Sequence, residues 1–529
     1  MPEFTEQQFS FKRPFERDAD LAQYGDNALL VFALGLYLLS DDFDELAAES
    51  LTDGADDKKI DACHIDISDG RLVVAQGYFA QEWGRPAAPA NKASDLNTAV
   101  TWLISADIAS VPERIRPKAE EVRRAVSNGE IKRFDVLYIH NCFESTNVAD
   151  EMRAVANTAR DLLVQVNPET ITVNYRELGL ESIQSLYDAL DKPILVEDEF
   201  SIATHACLTQ SADGWDSIVA TVPGRFFRSL HETHGEKLFS ANLRDFLGIT
   251  RHRGNINAGI QQTAASEGYN FWVFNNGVTA LTNNWENRDG QLKIEGISII
   301  NGAQTCGALG SCDDSELDDV FVLCRFVKCA DNSLVERIIK YNNTQNVIRP
   351  SDLRSNNPVQ KKLEREFSEF EIPYVIRRSA GRTQKHAISV EGIAPSLCAF
   401  HGHPQTASRN KREIFENDST FQDVFPSAIT PEHIYLVNCF SLAFDSLKLT
   451  LKELVSSLNA TELQESQYEV MKYSMSKYFI LYIVGECAEE ILNTKVPSKV
   501  AWRAKRSIVT LDPRELQECC IDVLRTLVP

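Results

Sequence analysis

Phe134-Asp135-Val136-Leu137-Tyr138-Ile139-His140, then an amphipathic helical stretch from Val148 to Val166, then Ile171-Thr172-Val173-Asn174-Tyr175, is the part of the chain that decides its fold. Strand, helix and strand in that order predict a βαβ unit, which sets its two strands parallel and packs the helix on the sheet. Upstream, an Asp- and Gly-rich turn feeds the alternating run Asp61 to Ile67. After Ser68-Asp69-Gly70 the run Leu72 to Phe79 reads as its antiparallel partner. Leu30, Leu34, Tyr37 and Leu38 recur at helical spacing, and further helical sets are predicted from Lys92 to Ser127 and from Arg225 to Leu247. From Phe271 to Lys328, β-rich runs alternate with Asn/Gly turns, and beyond Pro431 the pattern is helical nearly to the end.

A length of 529 residues exceeds what one core organises, so two to four domains are expected. The longest uncharged apolar stretch, Asn27 to Ser40, is short of the roughly 20 residues that span a bilayer, and the N-terminus lacks a signal-peptide pattern. The expectation is a cytoplasmic protein with no membrane partner. The twelve cysteines include no Cys-x-x-Cys pair, which suits reduced, buried thiols better than zinc or disulfides. A net charge of −22 argues against a protein that coats nucleic acid unspecifically. The segment from Arg349 to Arg412 nonetheless carries net +6, leaving −28 elsewhere. It reads either as a phosphate-facing surface or as a solvated, salt-bridged face.

Three Asn-rich stretches stand out: Phe274-Asn275-Asn276-Gly277-Val278-Thr279, Ile299-Ile300-Asn301-Gly302-Ala303-Gln304-Thr305 and Tyr341-Asn342-Asn343-Thr344-Gln345-Asn346. Asn and Gly tolerate positive φ, and carboxamides both donate and accept, so such clusters build polar turns at strand ends. With Leu238-Phe239, Asn242-Leu243-Arg244, Leu247-Gly248, Phe271-Trp272 and Asp352-Leu353 in the same order, the chain resembles the abortive infection phage resistance (AIPR) family from about Leu230 to Phe425. That resemblance implies a role in bacterial defence against phage and names no reaction.

The N-terminal hairpin resembles the PD-(D/E)XK nuclease core, in which an Asp opens one strand and an acid or Gln, with a Lys two positions on, lies on the next. Asp61 and Gln76 match, but Tyr78 stands at the Lys position. The resemblance implies Mg or Mn held by Asp61, with Asp57 as a further ligand and Lys59 or Lys58 supplying the missing charge. Three readings stay open: an active metal-dependent nuclease, a nuclease-like fold that does not cut, and a hairpin with a chance likeness. No organic cofactor is expected.

Ser298 to Leu309 reads as a strand, a tight turn at Gly302 and a helix, an arrangement whose first backbone N–H groups offer an anion site. Asn301, Gly302, Gln304 and Thr305 would line it. Asn275, Asn276, Asn342, Asn343 and Gln345 would offer neutral hydrogen bonds, and Arg325 and Arg354 would meet phosphate. The bland reading is a turn, a helix cap and Asn side chains that satisfy strand ends. The whole predicts a mixed α/β (α+β) multidomain protein. Its expected segments are 1–128 nuclease-like, 129–225 βαβ, 226–428 the AIPR core with a mixed sheet, and 429–529 helical. The expected ligand is nucleic acid or a nucleotide, with a defence-operon protein and a further copy of the chain as partners. The alternative is a non-catalytic sensor or scaffold.

Overall fold

The computed structural model describes residues 8–528 apart from 41, 53, 55, 169–170, 191, 205–206, 243–253, 289, 343–353, 355–356, 377–386, 494 and 496–512. The protein is of the mixed α/β class. It divides into two compact units: Met1–Glu181 with Arg349–Ser379 and Thr383–Pro529, and Ser182–Ile348 with Ala380–Arg382.

The first unit holds a four-stranded sheet in the order β1 (Ala62–Asp66), β2 (Arg71–Tyr78), β3 (Arg133–His140), β4 (Thr172–Leu178). β1 and β2 form the antiparallel hairpin, and β2, β3 and β4 run parallel, as the sequence predicts. Helix α1 (Ala28–Leu38) is buried almost all round and lies on one face, with Leu30 against Gly77. A second helix, α2 (Phe43–Ser50), follows it. The other face, with Leu72, Val74, Phe134 and Val136, packs on α3 (Ala90–Ile104), α4 (Arg116–Ser127) and the crossover helix α5 (Thr146–Val166). The sheet runs across the expected division at 128/129.

At the end of α1 one fully buried carboxylate gathers two guanidinium groups. Asp135 meets Arg71 Nε at 2.9 Å and Arg133 Nε at 2.6 Å, and accepts from Asn174 Nδ2 at 2.8 Å. Burial alone would raise the Asp135 pKa, but the Arg71 and Arg133 charges and hydrogen bonds from Arg133 and Asn174 lower it.

The second unit is built on a seven-stranded sheet. Its path is β5 (Val196–Ala203), β10 (Gln291–Asn301), β8 (Val278–Thr282), β11 (Phe321–Cys329), β7 (Trp215–Pro223), β6 (Cys207–Ala212), with β9 (Asn284–Arg288) paired to β10. One face buries Ile218, Ala220, Ile299, Cys324 and Phe326 against α6 (Ala303–Leu309) and neighbouring helices. The other buries Leu281, Ile300 and Val327 under Val335 of α7 (Asn332–Asn342).

In the first unit the C-terminal helices, expected as a region of their own, pack against the N-terminal part. Helix α8 (Pro431–Ser456) is long and apolar enough to cross a membrane by length and composition, yet most of it is buried inside this unit. Lys477 at the start of α9 (Ser476–Glu486) reaches Asp445 Oδ2 at 2.6 Å and Glu45 Oε1 at 3.5 Å. Lys448 meets Glu49 at 3.0 Å, and Glu121 accepts from both the amide and the hydroxyl of Ser474 at 2.9 Å. None of the twelve cysteines is in a disulfide, and eight of them are buried.

This seam sets a pH dependence. Burial would raise the Glu45 pKa, but the Lys477 and Lys411 charges, with hydrogen bonds from Lys477 and Tyr478, hold it down at about 2. Asp42 goes the other way, up to about 6, through burial and the Glu45 charge. A lowered acid contributes stability that is present above its unfolded value and lost as pH falls through its folded value, and a raised acid loses its contribution as pH climbs through its own. Stability of this unit should therefore rise between about pH 2 and 4 and fall between about pH 4 and 6 from these two groups. Asp42 also caps α2 by accepting from the Glu45 amide at 2.8 Å, a role Asn can keep. Denaturant titrations should show that Asp42→Asn flattens the fall and raises the midpoint at pH 7, while Glu45→Gln flattens the rise.

Candidate functional site

Two Asn/Gly turns meet at one end of the second unit's sheet. Asn275 accepts from the Gly277 amide at 2.8 Å through Oδ1 and donates through Nδ2 to Thr305 Oγ1 at 3.0 Å; the Thr305 hydroxyl donates back to Oδ1 at 3.3 Å. The first motif is thereby tied to the first turn of α6. Gly302 opens α6 at φ +90°, and a Cβ there would lie 2.7 Å from the Gly277 carbonyl oxygen. Gly277 sits at φ +85°, where a Cβ would lie 2.3 Å from the Leu323 carbonyl oxygen. Both positions need glycine for conformation and for space.

Beside these turns three side chains line up across three strands. Thr279 of β8 pairs with Arg325 of the parallel β11 and with Asn301 of the antiparallel β10. The register of β10 slips between Ile299 and Asn301, so two residues oppose Thr279. Such a bulge re-aims a side chain, here Asn301, toward the row. Asn301 is exposed, and its Nδ2 donates to the carbonyl of Asn342 at 2.6 Å, at the last turn of α7. Asn342 in turn donates to Ile338 O at 2.8 Å. Arg325 and Asn276 are exposed, and among the described residues the Arg325 guanidinium has no hydrogen-bond or ion-pair partner. Gln304 lies half-buried in the first turn of α6.

The structure thus brings Asn275, Asn276, Asn301, Gly302, Gln304, Thr305, Arg325 and Asn342 to one sheet end. Asn343, Gln345 and Arg244 lie outside the described residues. Arg354 belongs to the first unit, where its Nε donates to Phe415 O at 2.6 Å, its guanidinium pairs with Asp418 and its charge sits 4.9 Å over the Phe421 ring. It is engaged there in packing.

In the N-terminal hairpin, Asp61 lies just before β1 and accepts from the Gly77 amide at 2.6 Å through Oδ2. Gln76 is 3% exposed, and its Oε1 has no hydrogen-bond partner among the described residues. Asp57 is spent on its own loop, accepting from the Gly54 and Lys59 amides at 3.2 and 2.8 Å. Lys59 lies 3.7 Å from Asp95, and Lys58 pairs with Asp56. Asp56, Lys58 and Lys59 all hold positive φ, a costly local conformation for such residues. Among the described residues no three His, Cys, Asp or Glu side chains converge as a metal cage.

The family model described as AIPR protein matches residues 239–522, more than half of the chain. The chain belongs to the AIPR family. Membership assigns this AIPR protein a role in abortive-infection defence against phage. No curated protein and no solved structure matches it.

Two features of the AIPR protein are missed by sequence reasoning. The ends of β3 and β4 carry a buried pair, His140 Nε2 to Glu177 Oε1 at 3.1 Å, with the Ser145 amide donating to both Glu177 oxygens at 3.2 Å. These residues are far apart in the chain and only the strand register aligns them. The other is exposure. Trp272 and Phe274 are 44% and 64% exposed, while Phe271 beside them is buried. Gly277→Ala should cost about 2 kcal/mol through its forced φ and its clash with the Leu323 backbone, read as a lowered unfolding midpoint. An unchanged midpoint would mean that the turn relaxes.

Proposed function

We propose that this AIPR protein exerts its defence role by binding nucleic acid at the sheet end of its second unit. The observation that carries the reading is Arg325, exposed and, among the described residues, unpaired, beside Thr279 and Asn301 in one cross-strand row. A guanidinium held on a strand meets a phosphate in bidentate fashion, and the adjacent carboxamides of Asn276 and Asn301 offer directional bonds to sugars or base edges. Asn275 and Thr305 are engaged with each other and serve as supports of this surface. On this reading one Arg325 contact to phosphate contributes about one unit to the salt dependence of binding.

A second reading, cleavage, rests on the buried Oε1 of Gln76, without a partner among the described residues, on the strand next to Asp61. Asp61 and Gln76 would be the protein oxygens for a magnesium or manganese ion that keeps several waters, and that ion would supply an activated water. No residue with a positive charge stands at the Tyr78 position, so the binding reading ranks first.

Fluorescence anisotropy with labelled single- and double-stranded DNA and RNA, across a salt series and with magnesium or manganese, tests both. Binding should weaken about tenfold in Arg325→Ala with a salt slope smaller by about one, and should persist in Asp61→Ala. Equal binding by Arg325→Ala and the parent, or none by either, sinks the first reading. Metal-dependent shortening of the substrate that vanishes in Asp61→Ala would instead establish the second.

A further inference from the structure

The turn that leads into the first Asn motif carries an apolar ridge facing outward. Tyr269 is 87% exposed, Val273 67%, Phe274 64% and Trp272 44%, with Leu323 of β11 38% exposed. Leu323 is carried to this place by the close approach of Gly277 to its backbone. The short helix Phe271–Phe274 is seated by the buried Phe271, while Val273 and Phe274 leave most of their surface outside the core. Contiguous exposed aromatics of this kind mark a surface that another molecule covers.

The surroundings say what sort of molecule. Five of the seven residues from Asp313 to Asp319 are acidic, and all five are exposed. Gly268, at the start of the ridge, lies against Val320 and Asp319: a Cβ there would stand 3.7 Å from the Asp319 side chain. Arg225 pairs with Asp314 at 3.7 Å and with Asp318, and Arg228 donates to the Cys312 carbonyl just before the run, so two guanidinium groups stand against five carboxylates. The ridge is therefore an apolar strip with a strongly negative border. Along that Gly268 edge phosphate backbones and anionic bilayers are repelled.

We infer that the ridge of Tyr269, Trp272, Val273 and Phe274 docks a partner polypeptide that presents an apolar anchor flanked by lysine or arginine. Apolar anchors in the centre and complementary charge at the rim are how such surfaces divide affinity and selectivity. The ridge adjoins the Arg325 row at one end, where Phe274 precedes Asn275 and Asn276 and Leu323 lies two residues before Arg325, while its acidic border lies at the Gly268 end. The inference does not depend on nucleic-acid binding.

Labelled amphipathic peptides of lysine and leucine, of glutamate and leucine, and of lysine and glutamine, titrated into the full chain, test it by anisotropy. The lysine/leucine peptide should bind, the other two at least about tenfold more weakly, and the double variant Trp272→Ser with Phe274→Ser should lose about tenfold for the first peptide while its melting curve stays unchanged. Asp319→Lys, on an exposed position away from the core, should weaken the lysine/leucine peptide and strengthen the glutamate/leucine one. Equal binding of the lysine/leucine peptide by parent and double variant, or no binding at all, overturns the inference. So does a parent that light scattering shows to be a dimer which the double variant converts to monomer, because a second copy would then cover the ridge.

Discussion

Lys477, held between Asp445 and Glu45, ties the N-terminal and C-terminal segments of the first unit to each other. The lysine is 1% exposed and Asp445 fully buried, so each charge is tolerable only because the other is there. Burial works against the ammonium, yet Asp445 and Glu45 raise its pKa well above the ordinary lysine value; burial raises the Asp445 pKa well above the ordinary carboxylate value, with Lys477 pulling it down and Glu45 and Asp42 adding to the rise. Lys448 with Glu49, and Glu121 with Ser474, repeat the theme along the same seam. Residues more than 300 positions apart are joined by it, which makes the two ends of the chain one body. Buried ionic contacts of this kind add little net stability but make wrong packings expensive.

The second unit solves a different problem. Its sheet ends in two turns that must pass close to each other, and Gly277 and Gly302 permit this by giving up their side chains at positive φ. The carboxamide of Asn275 then bridges the turns through Gly277 and Thr305. With that frame rigid, the irregular pairing at Ile300 and Asn301 turns Asn301 toward Thr279 and Arg325. A polar surface built on strand ends in this way keeps its geometry without a ligand, which is what a binding site requires.

Much of this was legible in the chain. Alternation from Asp61 to Phe79 and the strand-helix-strand order after Phe134 predict the hairpin and the parallel strands, because local periodicity decides both. Asn301-Gly302 and Asn276-Gly277 predict turns for the same reason, and their meeting follows once β8 and β10 pair. Other features were hidden. Arg354, expected to meet phosphate by its place in a basic run, is taken up by Asp418 and Phe421, contacts that no local pattern announces. Lys59, the nearest replacement for the absent nuclease lysine, has Asp95 as its neighbour. The ionic seam unites distant segments whose charges look, in one dimension, like solvated helix faces. An exposed Trp272 cannot be told from a buried one by composition.

The claim that one ionic seam makes a single body of the two chain ends is tested most directly by hydrogen exchange, followed by mass spectrometry, on Lys477→Met. The substitution leaves Asp445 buried without its cation, at a cost of about 3–5 kcal/mol. The account predicts that protection falls together in β1 to β4 and in helix α8, to the same extent and in one transition. Loss of protection confined to the helix around Lys477, with the N-terminal sheet unchanged, would contradict it.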